Sequence, residues 1–316
     1  MGDSTLIRTC SIWRALEVVG DTPTLLILEA AFLGARRFDD FWRETGLLKA
    51  LLSDRLKKLV EAGVLEKAQY HERPPRYRYR LTQKGREVYP VALALLQWEK
   101  DCGDHAAGAR TIRLTHKTCG MEFRAVAACG GCQGDVDATN VDWLEGPGVG
   151  WMAPLYSRRR QLREQVGDGS LLFREAAQLM GDRWASLILR SIFTGIRSFD
   201  GIRADTAMAT NILSERLHWL ATRGVIRQAA VIGQPGRNEY RLTRKGVAYY
   251  PALLMLLVWG DRYYVSPEGP PLLLTHKACG AVLKPEIVCS HCRAPLDAGD
   301  VEFVLEPIPT DLAEAV

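Results

Sequence analysis

Lys49-Ala50-Leu51-Leu52-Ser53-Asp54-Arg55-Leu56-Lys57-Lys58-Leu59 is the stretch that decides the fold. Leu52, Leu56 and Leu59 recur at spacings of four and three, so they share one face of a helix and point it at a core. Lys49, Ser53 and Lys57 recur every four residues on another, polar face. Just upstream, Phe38 to Glu44 reads as a short helix and Gly46 as the turn after it. A short helix, a glycine turn and a second helix with a polar outer face make a helix-turn-helix. Working outward, Ser11 to Val19 is apolar at helical spacing. Asp21 or Thr22 caps a further helix that has Pro23 in its first turn and ends at Gly34. Downstream, Val64 to Tyr70 and Arg76 to Leu81 read as two strands around the loop Glu72-Arg73-Pro74-Pro75, a β wing. A last apolar helix covers about Val88 to Lys100.

The whole pattern occurs twice. Leu52-Ser53-Asp54-Arg55-Leu56 returns as Leu213-Ser214-Glu215-Arg216-Leu217, and Tyr79-Arg80-Leu81-Thr82 returns as Tyr240-Arg241-Leu242-Thr243, each 161 residues later. Leu114-Thr115-His116-Lys117 returns as Leu274-Thr275-His276-Lys277 after 160 residues. A period this long means two copies of a whole domain, not a solenoid. The predicted class is mainly α with small β: two winged helix-turn-helix domains in tandem, each followed by a small zinc-ribbon-like β unit. The predicted boundaries are 1–105 and 106–137 for the first winged domain and ribbon, and 138–170 for a linker. The second winged domain and ribbon take 171–265 and 266–300, and 301–316 is a C-terminal tail. The linker's basic run, Arg158 to Arg160 with Arg163, is either a phosphate contact or simply a solvated charged segment.

Charge identifies a partner class. The chain of 316 residues is only +4 overall. From Arg36 to Arg86, however, 14 Lys and Arg stand against 7 Asp and Glu, and from Arg197 to Val247 the figures are 9 and 4. The remainder is net acidic, so positive charge is concentrated on the two winged segments, as neutralising the phosphates of double-stranded DNA requires. The alternative is a protein-interaction module or co-regulator in which one or both winged helices bind no DNA. Nothing reads as an enzyme: there is no nucleophile elbow, phosphate-binding glycine loop or His-Glu-x-x-His. No apolar run is long enough to span a membrane, and the N-terminus does not read as a secretory signal, which predicts a cytoplasmic, nucleoid-associated protein.

Gly181-Asp182-Arg183-Trp184, Leu213 to Leu217, Arg73-Pro74-Pro75-Arg76-Tyr77 and the Leu-Thr-x-Lys-Gly found in both copies together resemble the HxlR-type family of bacterial winged-helix regulators. The resemblance covers Cys10 to Lys100 and Leu171 to Tyr263. It implies sequence-specific transcriptional regulation, by default repression, and dimerisation through the first and last helices. In a tandem chain it implies a dimer made within one polypeptide, with a homodimer of tandem chains as the alternative. Burial against the first copy would then satisfy the last helix of copy two, Leu253 to Trp259, which is apolar nearly all round. The copies depart from the pattern differently. Copy two has Asn211 beside Thr210 and ahead of Ser214, where copy one has Ala50 behind Lys49. The first wing carries Arg73, Arg76 and Arg78, whereas the second has only Arg237 beside Asn238. Since Asn pairs with adenine by two hydrogen bonds and Ala only touches a thymine methyl, unequal half-sites are expected. Copy one also has Thr22-Pro23 in place of the family's Arg-Trp, which leaves its helix packing open.

Six cysteines and two histidines fall into two identical patterns. His116-x2-Cys119 is followed after nine residues by Cys129-x2-Cys132, and His276-x2-Cys279 by Cys289-x2-Cys292. Each segment offers three thiolates and an imidazole, the ligand set of a structural Zn2+ site, with Gly120 and Gly280 suited to a tight turn. The expectation is two structural zinc ions, each wrapped by one contiguous hairpin; reduced free thiols are the alternative. His291 reads as a bystander, because the first copy has Gly131 there. Cys10 stands alone near the start of the first helix, where many members of the resembling family carry a redox-sensing thiol. An oxidant or small-molecule effector is one candidate, with Cys102 as a further thiol; the alternative is that Cys10 is simply a small buried residue at a helix interface.

Overall fold

The computed structural model describes residues 6–73, 75–103, 110–153, 172–231, 233 and 236–307. The linker arginines Arg158 to Arg160 and Arg163 lie outside them, as do Leu171, Pro74 and the C-terminal tail beyond 307. In the first half, β1 (Ile7–Arg8) and α1 (Ser11–Val19) precede α2 (Thr22–Phe32), α3 (Phe38–Thr45) and α4 (Lys49–Glu61). The wing strands β2 (Leu65–His71) and β3 (Arg76–Leu81), the short α5 (Gln83–Arg86) and α6 (Tyr89–Cys102) follow. Next come β4 (Arg110–His116), β5 (Met121–Glu122), β6 (Ala125–Cys129), β7 (Val141–Glu145) and β8 (Trp151–Met152). The second half repeats the order with α7 (Arg174–Gly181), α8 (Arg183–Phe193), α9 (Phe199–Thr206), α10 (Thr210–Thr222), β9 (Ile226–Ala230) and β10 (Asn238–Leu242). It ends with α11 (Arg244–Ala248), α12 (Tyr250–Tyr264), β11 (Leu272–His276), β12 (Pro285–Cys289) and β13 (Val301–Pro307).

The motifs shared by the halves have local physical causes. Asp21 caps α2 by accepting from the Thr24 amide at 3.0 Å, and Asp182 caps α8 by accepting from the Ala185 amide at 2.9 Å. Each cap is also an ion-pair partner of the helix-turn-helix. Arg55 reaches Asp21 from α4 at 3.0 Å, and Arg216 reaches Asp182 from α10. The repeated Gly-Asp and Leu-Ser-x-Arg-Leu segments are thus two ends of one tie. Leu52, Leu56 and Leu59, with Leu213, Leu217 and Leu220, are buried beneath it. In Leu-Thr-x-Lys-Gly, Thr82 accepts from the Gly85 amide and donates to the Gly63 carbonyl; Thr243 does the same with Gly246 and Gly224. The glycines are required because a Cβ at Gly85 or Gly246 would collide with the carbonyl oxygen of Val64 or Val225. These caps start the short helices α5 and α11, one turn each, too short to show a helical periodicity in the sequence.

Packing sorts the described residues into two units whose boundaries do not follow the two halves. One unit holds those of 18–126, 160–181 and 287–316; the other holds those of 1–17, 127–159 and 182–286. Each contains one winged helix-turn-helix together with segments from the opposite half.

In the unit around α2 to α6, the added helix is α7. Ala176, Ala177, Leu179 and Met180 are fully buried there, and α7 packs on α6 and α2. The first helix turn is met by carboxylates from copy one. Glu99 accepts from the amides of Glu175 and Ala176 at 3.1 and 2.8 Å, and Glu29 accepts from Leu172 at 2.9 Å. The sheet of this unit pairs β4 with β13 in antiparallel register, His116 opposite Val301 and Arg110 opposite Pro307, and β5 lies on the other edge of β4.

In the unit around α8 to α12, the added helix is α1, up to Glu17. Trp13 packs against Trp184 with ring centroids 5.1 Å apart and planes tilted by 57°, and the Arg183 guanidinium lies over Trp13 at 5.3 Å. At the corresponding positions of the other unit stand Arg174 and Pro23, so both partners of the aromatic pair change together. With Thr22-Pro23 in these places α2 still forms, Pro23 is buried in its first turn, and α7 carries no tryptophan that would need a ring to face. The apolar α12 is buried along most of its length. Gly260 leaves room for the backbone of Ser11, and the Ser11 hydroxyl donates to Asp261. Here β11 pairs with β7, His276 opposite Val141 and Leu272 opposite Glu145, and β1 pairs with β8. Residues 141–145 and 151–152, read from sequence as linker, are therefore strands, because each completes a ladder begun elsewhere in the chain.

Asp261 gives a pH signature. Burial pushes its carboxyl up to about 6, against the downward pull of the Ser11 hydroxyl. The folded protein thus holds this proton more tightly than an unfolded chain, whose aspartates titrate near about 3.9. Between those values the group's contribution to stability falls as pH rises, and at neutral pH the charged carboxylate is a net cost. Asp261→Asn is expected to raise the urea midpoint at pH 7 and to flatten the midpoint's fall between about pH 4 and about pH 6. An unchanged slope in the variant would refute the assignment.

Candidate functional site

Two kinds of site emerge, an exposed helix-and-wing face on each winged unit and a Cys/His tetrad in each unit. On the first face, Lys49, Ser53 and Lys57 are exposed along α4. Lys49 lies over the Trp42 ring at 4.3 Å, and Lys57 is within 3.8 Å of Glu61. In the wing, Arg73 and Arg76 are exposed, while Arg78 is half-buried with its guanidinium 5.0 Å from the Tyr70 ring centre. Along β3, Tyr79 is buried, whereas Tyr77 near the tip is 39 % exposed and covered by Lys67 at 4.0 Å. On the second face, Thr210, Asn211 and Ser214 are exposed along α10, and Arg237 and Asn238 are exposed in the wing. Each set therefore has its recognition helix and wing on one winged unit, held in place by the cap-to-helix ion pairs. Sequence reasoning passed over Trp42 and Leu48. The signal was available in the repeat, since the equivalent positions are Arg203 and Ala209.

The tetrads correct the expected ligand pairing. His116 and Cys119 meet Cys289 and Cys292, whereas Cys129 and Cys132 meet His276 and Cys279. All eight predicted residues are used, and each set has three thiols and one imidazole, but neither is a contiguous hairpin. The reason lies in the strand ladders. The nine residues after Cys119 lead into the other unit, and the pair that returns beside His116 arrives with β12, just ahead of β13.

The geometry suits a tetrahedral ion. Bonds of about 2.0–2.1 Å to nitrogen and about 2.3 Å to sulfur place N and S about 3.6 Å apart and two sulfurs about 3.8 Å apart. His116 Nδ1 lies 3.5 Å from Cys119 Sγ and 3.2 Å from Cys292 Sγ, with Cys119 and Cys289 Sγ 3.9 Å apart. His276 Nδ1 lies 3.5 Å from Cys279 Sγ and 3.2 Å from Cys132 Sγ. Both imidazoles are buried, as are Cys129 and Cys289. Gly120 and Gly280 take positive φ of 69° and 67°, and their amides reach back to the carbonyls of His116 and His276. A Cβ at Gly134 would press on the His276 ring and Cys132 Sγ. Four protein ligands close each set and leave no open position for a substrate. His291 belongs to neither set. Cys10 is buried beside the start of α1.

Residues 18–107 and 179–268 both match the profile of the HxlR-like helix-turn-helix family. An uncharacterized HTH-type transcriptional regulator of Mycobacterium tuberculosis is 38 % identical over 126 residues, covering 40 % of this chain and 80 % of the relative. The HTH-type regulator YvaP of Bacillus subtilis is 33 % identical over 92 residues, covering 29 % of this chain and 85 % of the relative. Each match thus spans less than half of this chain but most of the relative. The redox regulator HypR in its reduced form is 28 % identical over 28 % of this chain and 89 % of its own, with a TM-score of 0.27, too low for its chemistry to bear on this protein.

The crossed pairing is testable by metal content. Cys119→Ser with Cys292→Ser damages one tetrad and should leave one bound ion per chain. Cys119→Ser with Cys132→Ser damages both and should leave none. Elemental analysis giving the reverse pattern would restore the contiguous hairpins.

Proposed function

This chain belongs to the HxlR-like helix-turn-helix family, a DNA-binding transcriptional regulator family, and we propose that it acts as a repressor whose two winged units form a pseudo-dimer within one polypeptide. The observation that carries the proposal is the exchange of first helices: each winged unit is completed by the first helix of the other half. A chain built this way obtains its second DNA-reading unit without a second subunit. Its two units are free to differ, which a homodimer cannot do.

The differences suggest unequal half-sites. Asn211, with Thr210 and Ser214, offers hydrogen-bonding groups to base edges, and Arg237 with Asn238 supplies that unit's wing. Arg73, Arg76 and Arg78, with Lys49, Ser53 and Lys57, offer mainly positive charge to the backbone or minor groove. We assign Zn2+ to both tetrads, on the ligand set and its spacing. When bound, zinc supplies a structural cross-link and no reaction. Three thiolates and a neutral imidazole in each set hold it, and each ion would tie residues of one half to residues of the other. A thiol switch at Cys10 would work through loosening of α1, whose position beneath α12 the buried thiol shares.

Binding to duplex DNA selected from a random library should be sequence-specific and weaken steeply with salt. Arg76→Ala should weaken binding to all sequences alike and lower the salt slope by about one. Asn211→Ala should relax preference at one base pair, at a cost of about 1–3 kcal/mol. If both variants lose affinity without any change in preference, the division of labour is wrong. Diamide should lower the parent's DNA affinity but not that of Cys10→Ser; equal responses would remove the switch.

A further inference from the structure

The first turn of α4 carries more exposed hydrocarbon than the Ala50 methyl alone. Leu48 sits at its N-cap, makes no capping hydrogen bond and is 79 % exposed. Both facts count against the fold: a polar side chain there would cap the helix, and an isobutyl group in water gains nothing. Ala50, two residues on, is exposed as well. Between them, Lys49 has its ammonium over the ring of Trp42, itself 43 % exposed, so the cation is held to one side. The matching turn of α10 reads Ala209-Thr210-Asn211, with Arg203 in place of Trp42. One recognition helix therefore leads with hydrocarbon and the other with hydrogen-bonding groups.

A recognition helix presents its N-terminal residues to base edges in the major groove. The apolar group displayed there is the C5-methyl of thymine. The surrounding segment, residues 36–86, has twice as many cations as anions, which suits a polyanion over an apolar protein surface. We infer that Leu48 and Ala50 read thymine methyl groups in the half-site under α4. This rests on the DNA-binding reading above and deepens it: one half-site is read by methyl contact and the other by hydrogen bonds.

The test uses the full, metal-loaded chain and a selected duplex. Each thymine in turn is replaced by deoxyuridine, which keeps base pairing and removes only the methyl. Affinities of the parent and of Leu48→Ala are measured by anisotropy at fixed salt, with circular dichroism to show that the exposed-site variant folds. At one or two thymines the parent should weaken about fourfold per lost methyl, the equivalent of about 0.8 kcal/mol. Leu48→Ala should bind the thymine duplex more weakly than the parent and be indifferent to deoxyuridine at those positions. Deoxyuridine without effect anywhere, or with equal effect on both proteins, overturns the inference. So does a Leu48→Ala that binds every duplex as the parent does, a result that would turn the patch towards a protein partner. Recovery of no duplex at all overturns the DNA-binding reading as well, and that is a different result from tight binding indifferent to methyls.

Discussion

A short, largely apolar helix must be buried, and in this protein each winged unit buries the one that comes from the opposite half of the chain. Ala176, Ala177, Leu179 and Met180 of α7 have no exposed surface, and their partners are α2 and α6 of the first half. Ala15 and Leu16 of α1 are equally buried in the other unit. The ribbon strands are exchanged in the same way as the first helices. The strand entering from one half meets the strand returning from the other, β4 with β13 and β11 with β7. The crossed tetrads follow, since their ligands lie at the ends of those strands and in the turns beside them.

The exchange also explains how the two halves could diverge. Contacts that a homodimer would make twice are here made once each, between different sequences. Glu99 caps α7, whereas the equivalent position in the second half is Gly260, which lets the backbone of Ser11 approach. Trp13 faces Trp184, whereas Arg174 and Pro23 occupy the matching positions. Changing one partner of such a contact requires a change only in its own counterpart. The outer faces differ as well: one recognition helix begins Ala209-Thr210-Asn211 and the other Leu48-Lys49-Ala50.

Holding those outer faces is a common device that both halves retained. The aspartate that caps the second helix is bound by the arginine of the recognition helix, Asp21 by Arg55 and Asp182 by Arg216. The threonine cap beyond each wing, with its obligate glycine, fixes the hairpin against the end of that helix. Helix and wing are therefore joined by contacts beneath the surface, in both halves alike, while the side chains they present outward differ.

Local physics made the winged units legible in the sequence. Leucines at spacings of four and three, Pro23 in a first turn, Gly46 in a left-handed turn and alternation along Arg76 to Leu81 are each decided within a few residues. The eight metal ligands were legible for the same reason, because a His-x2-Cys or Cys-x2-Cys turn is closed by its own backbone. What the sequence could not determine was which pair closes with which. Both halves carry the same residues at the same spacing, so a contiguous tetrad and a crossed one satisfy local geometry equally. The choice was made by the strands and first helices that the ligands ride on, and their burial is settled only when the opposite half of the chain is in place.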